Sequence, residues 1–360
     1  MLVKGKEKYF LLSFVFFFVV SAAGVGVAGP SWSTYHGQLI EDVDVSETGI
    51  SLGLNAEGAL FIHDRESSFI ASWKREEMKP ESLLMSRQGD RVLAAYQDGY
   101  LALFAHDNQE GEQLWAYRID QIEVNSTALS SDGDRSFAAS APVEQEQKRP
   151  SRMWVFNSQG ETVWNKNLES VVVNADINQD YWTAVVGVKY GTTDQPRGKN
   201  AIYFFDSGGD LVWDNNLSSS PVAVDFLEHN GRECVLLTAE DDRLVLFDPQ
   251  GPILWQKNIS DLKEVEVKGG YIAALTSSHL YLIDDHGTEL WEREVSDINS
   301  LSVSASGLVA YTQPARALAI NSQGKEILEH SLEEEGVVAL SREGSYLLLG
   351  SDRVSFFSLQ

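Results

Sequence analysis

The side chains of this chain that could carry out chemistry are few and widely separated. Asp176, Asn178 and Asp180 are spaced as in a calcium-binding loop, but Tyr181 stands where such a loop needs glycine. Cys234 is the only cysteine, and its apolar neighbours predict a buried strand position. The seven histidines show no short spacing typical of a metal site: His36, His63, His106, His229, His279, His286 and His330. We therefore expect no catalytic residue, no cofactor and no metal site.

The charge of the chain limits its partners. Its 360 residues carry a formal net charge of −25. A nucleic-acid-binding face needs a basic surface that releases counterions from phosphates, so nucleic acid is excluded as a partner. An acidic surface also keeps a soluble body from associating and from approaching anionic lipid. We expect a monomer whose acidity serves solubility, because no cage of cation ligands accompanies it.

Residues 1–29 differ from the rest of the sequence. Lys4, Lys6 and Lys8 precede an apolar run from Phe10 to Val20, and a tail of small residues follows. This pattern is typical of an export signal. With its tail the stretch also reaches the roughly 20 residues that span a bilayer. It is therefore either a cleaved signal peptide or an N-terminal membrane anchor, and residues 30–360 are expected to form one extracytoplasmic domain, secreted or tethered.

A short phrase recurs along the body, as in LFDPQGPILW, which ends at Trp255. In five copies, glycine precedes the tryptophan by four residues and Asn or Asp precedes it by seven. Asn and Asp cap tight turns through their side chains, and glycine supplies the positive φ that a hairpin needs. The glycines are Gly111, Gly160, Gly209, Gly251 and Gly287. Leu328 replaces the tryptophan in a further copy, and the copy at Trp73 keeps only the tryptophan.

The spacing of these copies predicts the fold. Their closing positions lie 36 to 49 residues apart, the range for a unit of four short strands. Apolar alternation and short apolar runs, as in EVEVK, YIAALTS, HLYLIDD and TELWEREV, divide a unit into four strands. No segment of the body shows a sustained helical period. The sequence therefore predicts an all-β fold, a β-propeller of four-stranded blades.

The two ends of the sequence predict how the ring closes. Seven closing positions precede three further strands, GVVALSREG, SYLLLGSD and RVSFFSLQ. Trp32 stands seventeen residues before Gly49, much as Trp291 stands sixteen before Gly307, so the strand of Trp32 supplies the missing fourth. Closure of this kind removes free sheet edges. We predict eight blades, with the N-terminal strand joining the C-terminal blade; seven blades is the alternative if that strand is misread.

Repeats of the form Asp-x-x-Gly-x-x-x-Trp resemble those of the quinoprotein-like (PQQ-like repeat) propellers, over nearly the whole body. They are also similar to exported PQQ-like repeat proteins of bacteria and archaea and to the bacterial outer-membrane-barrel assembly lipoprotein. The dehydrogenases of the family use adjacent cysteines, a calcium-bound quinone and a catalytic aspartate, which this chain does not match, so the resemblance implies a noncatalytic member. It also implies that the repeat tryptophans pack between blades: Trp32, Trp73, Trp115, Trp164, Trp213, Trp255 and Trp291.

Two long polar loops provide the candidate binding site. Two consecutive units are seven residues longer than their 42-residue neighbours, and the excess falls between the second and third strands, in SAPVEQEQKRPSRM and VKYGTTDQPRGKN. Such loops open on the same face of a propeller, so we expect them to project side by side. The candidate partner-binding residues are Lys148, Arg149, Arg152, Lys189, Tyr190, Arg197 and Lys199. We predict a basic docking patch; long surface loops that are merely tolerated are the alternative.

The expected function is that of a noncatalytic exported scaffold. It binds a protein or an acidic cell-envelope polymer on one face, and touches a membrane only through residues 1–29. The alternatives are a quinone-dependent dehydrogenase-like propeller and a ligand-binding or carbohydrate-binding propeller, because tryptophan faces also stack on sugar rings. The fixed place of the tryptophans in the repeat favours packing.

Overall fold

The described part of the chain is built from β-strands. The computed structural model describes residues 29–75, 78–96, 98–106, 110–119, 123–141, 151–192 and 195–359. Eight antiparallel sheets of four strands form the ring, and a two-stranded hairpin is added to it. The predicted all-β propeller of eight blades is therefore confirmed, and the seven-bladed alternative is wrong. Within the described ranges no helix is long and apolar enough to cross a membrane. The predicted export segment, residues 1–29, lies almost entirely outside them.

The first four blades follow strand β1 (Trp32–Tyr35) along the chain. Blade 1 contains β2 (Ile40–Val45), β3 (Ser51–Asn55), β4 (Ala59–His63) and β5 (Phe69–Lys74). Blade 2 contains β6 (Pro80–Met85), β7 (Arg91–Tyr96), β8 (Tyr100–His106) and β9 (Gly111–Arg118). Blade 3 contains β10 (Glu123–Leu129), β11 (Arg135–Ala141), β12 (Ser151–Asn157) and β13 (Thr162–Leu168). Blade 4 contains β14 (Val171–Ile177), β15 (Thr183–Val188), the hairpin β16 (Tyr190–Thr192) and β17 (Gln195–Arg197), then β18 (Ala201–Phe205) and β19 (Leu211–Asn216).

The last four blades complete the ring. Blade 5 contains β20 (Pro221–His229), β21 (Arg232–Ala239), β22 (Arg243–Phe247) and β23 (Ile253–Asn258). Blade 6 contains β24 (Leu262–Lys268), β25 (Tyr271–Thr276), β26 (His279–Asp284) and β27 (Glu289–Glu294). Blade 7 contains β28 (Ser300–Val303), β29 (Val309–Gln313), β30 (Arg316–Ile320) and β31 (Glu326–Ser331). Blade 8 contains β32 (Val337–Leu340), β33 (Tyr346–Gly350) and β34 (Arg353–Ser358), and takes β1 as its fourth strand.

Burial follows the position of a strand within its blade. The second and third strands are the central strands of each blade. Both of their faces pack against neighbouring blades and are apolar, so β21 is buried from Cys234 to Ala239. The predicted buried position of Cys234 is confirmed. The fourth strands form the rim and alternate between half-buried and exposed residues, as in β23. The hydrophobic core is therefore a set of layers between blades.

The turns between third and fourth strands have the predicted geometry, with one exception. After β22, the Asp248 side chain accepts the backbone N–H of Gln250 at 2.9 Å, and Gly251 has a φ of +100°. Positive φ is also found at Gly160, Gly209, Gly287 and Gly324. Gly111 does not have a positive φ; a Cβ there would lie 2.3 Å from the Trp73 ring. Close packing, and not turn geometry, requires glycine at that position.

The outer strands direct their tryptophans into the next blade. A β-bulge lies next to Trp255, because Leu246 pairs with Trp255 and Phe247 pairs with Ile253, which leaves Leu254 as the extra residue. The indole N–H donates to the backbone carbonyl of Asp285 at 2.8 Å. A Cβ on Gly287 would lie 3.3 Å from the Trp255 ring. The tryptophan of one repeat and the glycine of the next therefore form one contact.

Strand β1 closes the ring in the predicted way. It pairs antiparallel with β34, from Trp32 opposite Phe356 to Tyr35 opposite Arg353. The rings of Trp32 and Phe356 stack with centroids 5.3 Å apart. The Trp32 indole N–H donates to the backbone carbonyl of Arg65 in blade 1 at 2.9 Å. The closing strand thus contacts blades on both sides.

The connections divide the ring into two faces. Turns from first to second strands and from third to fourth strands lie on one side, which we call the turn face. Loops from second to third strands and links between blades lie on the other side, which we call the loop face. Strand β1 begins on the turn face, because Trp32 contacts Arg65 in the turn between β4 and β5.

Candidate functional site

The long loop of blade 4 folds into a hairpin on the loop face. Strands β16 and β17 pair directly, with Tyr190 opposite Arg197. Lys189 precedes the hairpin and is exposed. Of the other predicted docking residues, Lys148 and Arg149 in the long loop of blade 3 lie outside the described residues. The structure therefore places five of the seven candidates, Tyr190 and Arg197 by their backbone alone.

The bases of the two long loops meet through the link between blades 3 and 4. Where the blade 3 loop returns to β12, the Ser151 hydroxyl accepts the backbone N–H of Val172 in blade 4 at 3.1 Å. Where the blade 4 loop returns to β18, the backbone carbonyl of Lys199 accepts the Ser170 hydroxyl at 2.7 Å. Ser170 and Val172 are two residues apart, and Arg152 follows Ser151 directly. Both loops thus rise from one small area of the loop face.

The described basic residues of this area differ in how their charge is used. Lys199 forms an ion pair with Asp214, which raises the pKa of its ammonium group. The guanidinium of Arg152 lies 5.1 Å from the centre of the Trp154 ring, and the residue is exposed. Lys189 makes no ion pair with any described residue. Arg152 and Lys189 therefore offer charge to a partner, whereas that of Lys199 is largely neutralised.

A polar channel runs through the centre of the ring, with a cavity of about 400 Å³ toward the turn face. The first strand of each blade has a free edge there, so its backbone N–H groups need other acceptors. The Asn174 side chain accepts the N–H of Val224 at 2.9 Å, and Asp176 accepts that of Phe226 at 3.1 Å. Asp176, which the sequence placed in a weak calcium-loop pattern, thus joins neighbouring blades.

Burial raises the pKa of several carboxyl groups in and near the channel. It raises the pKa of Glu266 to about 7, against the opposing charge of Lys268. Burial raises the pKa of Asp225 well above its ordinary value, and the charges of Asp176 and Glu266 add to this. Asp42 is exposed, yet desolvation by the surrounding protein and then the charge of Asp44 raise its pKa to about 6. The surroundings of these carboxyl groups therefore disfavour their ionised form.

The channel mouth on the turn face is tied together across the closing seam. Arg87 of blade 2 forms an ion pair with Glu343 of blade 8 at 2.8 Å. The backbone N–H of Glu343 donates to the Glu47 carboxylate of blade 1 at 2.8 Å, and the N–H of Glu47 donates to the carbonyl of Arg87 at 3.0 Å. Blade 8, from the end of the sequence, is therefore joined to blades 1 and 2 by one set of contacts.

A histidine cluster that the sequence did not predict lies on the turn face between blades 5 and 6. His229 ends β20, whereas Asp285 and His286 lie in the turn between β26 and β27. Their ligand atoms lie within 4.8 Å of one another, the only such group of three among the described residues. His229 and Asp285 are 56 positions apart. The only signal in the sequence was the blade repeat, which places these two turns side by side.

Fold and repeat together define a PQQ-like repeat β-propeller. A family profile described as outer membrane protein assembly factor BamB matches residues 151–353, which is more than half of the chain. The chain belongs to this family, and the resemblance predicted from its repeats is confirmed. No curated protein matches the sequence significantly.

Solved structures share the fold at low sequence identity. The C-terminal WD40 domain of Sif2 is similar with a TM-score of 0.68 and 11% identity, covering 93% of this chain and 99% of that one. Sqt1 of Saccharomyces cerevisiae is similar with a TM-score of 0.68 and 9% identity, covering 93% of this chain and 100% of that one. At such identities the likeness shows a propeller fold alone.

Proposed function

We propose that this chain is a noncatalytic, exported propeller scaffold that binds a protein partner through the loop face of blades 3 and 4. The observation that carries the proposal is the shared base of the two long loops. Exposed Arg152 and Lys189 lie there in a body that is otherwise strongly acidic. A local positive area on such a body selects an acidic partner surface and orients it during encounter.

Export and an envelope partner rest on two supports. The apolar segment of residues 1–29 is typical of an export signal. The matching family is described as an outer membrane protein assembly factor, which favours a partner in the cell envelope. The protein acts there as a monomer, secreted or held by its N-terminal segment.

Two functions compete with this proposal: binding of a carbohydrate or other ligand on the faces of the repeat tryptophans, and quinone-dependent catalysis. The repeat tryptophans contact the next blade, as Trp255 does, so their faces are occupied by protein. Cys234 is fully buried. Quinone-dependent catalysis is tested by incubation of the full chain with pyrroloquinoline quinone and calcium. A bound chromophore that remains after gel filtration would contradict the proposal of a noncatalytic scaffold.

The docking patch is tested by reversing its charge. The variant carries four substitutions of a basic residue by glutamate, named below. We expect it to fold normally and to lose capture of the native partner from envelope extracts, because the interaction depends on positive charge at both loops. The measurement is affinity capture followed by mass spectrometry, with circular dichroism and thermal melting as the folding check. The substitutions are Lys148→Glu, Arg149→Glu, Lys189→Glu and Arg197→Glu.

A matched control separates the patch from the overall charge of the molecule. The double variant Lys189→Glu with Arg197→Glu is compared with Arg65→Glu and Lys325→Glu, which make the same charge change in exposed turns of the opposite face. Partner capture should fall in the first pair only. If the two double variants capture the partner equally well, or if both lose it, the docking patch is contradicted. Capture of an anionic polymer in place of a protein would identify the partner as an envelope polymer.

A further inference from the structure

His229, Asp285 and His286 form a compact group of potential metal ligands. Nδ1 of His229 lies 3.0 Å from Oδ2 of Asp285, and Nδ1 of His286 lies 2.9 Å from Oδ1 of the same carboxylate. The two imidazole rings have centroids 4.9 Å apart. One carboxylate thus stands between two imidazole nitrogens that come from different blades.

The separations suit a small divalent cation. Zinc binds histidine nitrogen and carboxylate oxygen at about 2.0 to 2.2 Å, so two ligands of a tetrahedral site lie roughly 3.4 Å apart. Two separations in this group, one to each carboxylate oxygen of Asp285, are 3.0 and 2.9 Å and so are close to that value. The third, between the two imidazole nitrogens, is at most 4.8 Å and can close by rotation of the His286 side chain, which is 58% exposed.

The hydrogen bonds around His229 can adapt to a bound metal. Its Nδ1 faces two acceptors, the carbonyl and carboxylate of Asp285, so Nδ1 carries the proton in the metal-free protein. Its Nε2 lies 2.9 Å from the side-chain amide of Asn230. A metal on Nδ1 moves the proton to Nε2, and a flip of the Asn230 amide then supplies an acceptor, which is the usual support for a ligating histidine.

The position of the group also suits a ligand site. His229 is 8% exposed and anchored, while Asp285 is held because its backbone carbonyl accepts the Trp255 indole at 2.8 Å. His286 reaches solvent, so a metal there keeps an open position for water or for a partner's ligand. Two fixed ligands and one mobile ligand join the inner turn of blade 5 to the outer turn of blade 6.

We propose that His229, Asp285 and His286 bind one zinc-type divalent transition-metal ion on the turn face, and that the ion links blades 5 and 6. The imidazole and carboxylate donors favour zinc over calcium or magnesium, which take oxygen ligands. This site is separate from the loop-face patch, and it is independent of the function proposed for that patch.

Zinc titration of the full chain tests the site. The protein is purified without a histidine tag, stripped with chelator and titrated by calorimetry and by competition with a chromophoric chelator. We expect one zinc per chain and an affinity at least about tenfold weaker in His286→Ala and in Asp285→Asn. Zinc should raise the melting temperature of the wild type and not of these variants.

His279→Ala is the matched control, because His279 is a half-buried histidine of blade 6 that lies 3.7 Å from the carboxylate of Glu292 and belongs to no group of three potential ligands among the described residues. It should bind zinc like the wild type. Cobalt in place of zinc should give visible absorption bands in the wild type that His286→Ala lacks. The proposal is overturned if the wild type binds no zinc, or if His286→Ala, which removes only an exposed side chain, binds it equally well.

Discussion

Trp213 shows how a single repeat residue joins two blades. Its ring stacks with Phe204 and Phe247, with centroids 5.2 and 5.6 Å away. Its indole N–H donates to the backbone carbonyl of Pro249 at 2.9 Å. Phe204 belongs to blade 4, whereas Phe247 and Pro249 belong to blade 5. The large ring supplies the apolar contact, and the hydrogen bond fixes its direction.

Truncation of these rings should strongly destabilise the protein. Trp213→Ala and Trp255→Ala should each lower the free energy of unfolding by about 3 to 5 kcal/mol, because they leave a cavity between blades. Chemical denaturation with guanidinium measures the change through the midpoint. Unmoved midpoints would show that the rings contribute little to packing, and would favour ligand stacking instead.

A milder substitution separates the hydrogen bond from the ring. The indole nitrogen of Trp164 is buried and has no hydrogen-bond partner among the described residues, unlike that of Trp213. Trp213→Phe should therefore cost about 1 kcal/mol more than Trp164→Phe, since only the first loses a hydrogen bond. Equal losses in the two variants would mean that the indole hydrogen bond is energetically neutral.

Strand β1 carries the closure of the ring although it has only four residues. Its removal would leave β34 as an unpaired edge, and exposed edges pair with other chains. Deletion of residues 31–39 should therefore cause aggregation, measured by light scattering and gel filtration. Trp32→Ala is the control: it should lower stability yet leave the protein monomeric, because the edge remains paired. A monomeric deletion product with an undiminished melting temperature would contradict this account of closure.

The sequence was informative where one repeat unit determines the structure. Asp248 and Gly251 predict their turn because the local backbone demands those residue types. The closing role of Trp32 followed from the same spacing. The channel carboxyls and the contact of His229 with Asp285 depend on distances between blades, which no local pattern encodes. Gly111 occupies the glycine position of the repeat, but its glycine is required by close packing against Trp73 and not by the turn that the repeat predicts.

The whole ring should respond to pH through two half-buried groups. Burial lowers the pKa of His36, at the closing seam, to about 4 from 6.5, and raises that of Glu266, in the channel, to about 7 from 4.5. The contribution of neutral His36 is complete above pH 6.5 and is lost as pH falls toward 4. The contribution of protonated Glu266 is complete below pH 4.5 and is lost as pH rises through 7.

Two variants make these opposite effects measurable. Relative to the wild type, Glu266→Gln should gain about 2 kcal/mol of stability as pH rises from 4.5 to 8, and His36→Phe should gain a similar amount as pH falls from 6.5 to 4. Phenylalanine keeps the stacking on Phe61, whose ring centroid lies 3.7 Å from that of His36. Denaturation curves across this range provide the test, with exposed Glu334→Gln as control. Stability profiles that stay parallel to the wild type would refute both assignments.

The start of β1 on the turn face has a consequence for how the molecule stands at a membrane. The chain before Trp32 therefore enters the ring beside Arg65, on the turn face at the outer edge of the blades. An uncleaved anchor in residues 1–29 would therefore tether the protein by its turn face. The strands that form the eight four-stranded sheets are four to nine residues long, so the loop face would stand roughly 20 Å farther from the bilayer. A partner of blades 3 and 4 would then approach from the side that points away from the lipid. The histidine cluster, which is on the turn face, would face the lipid.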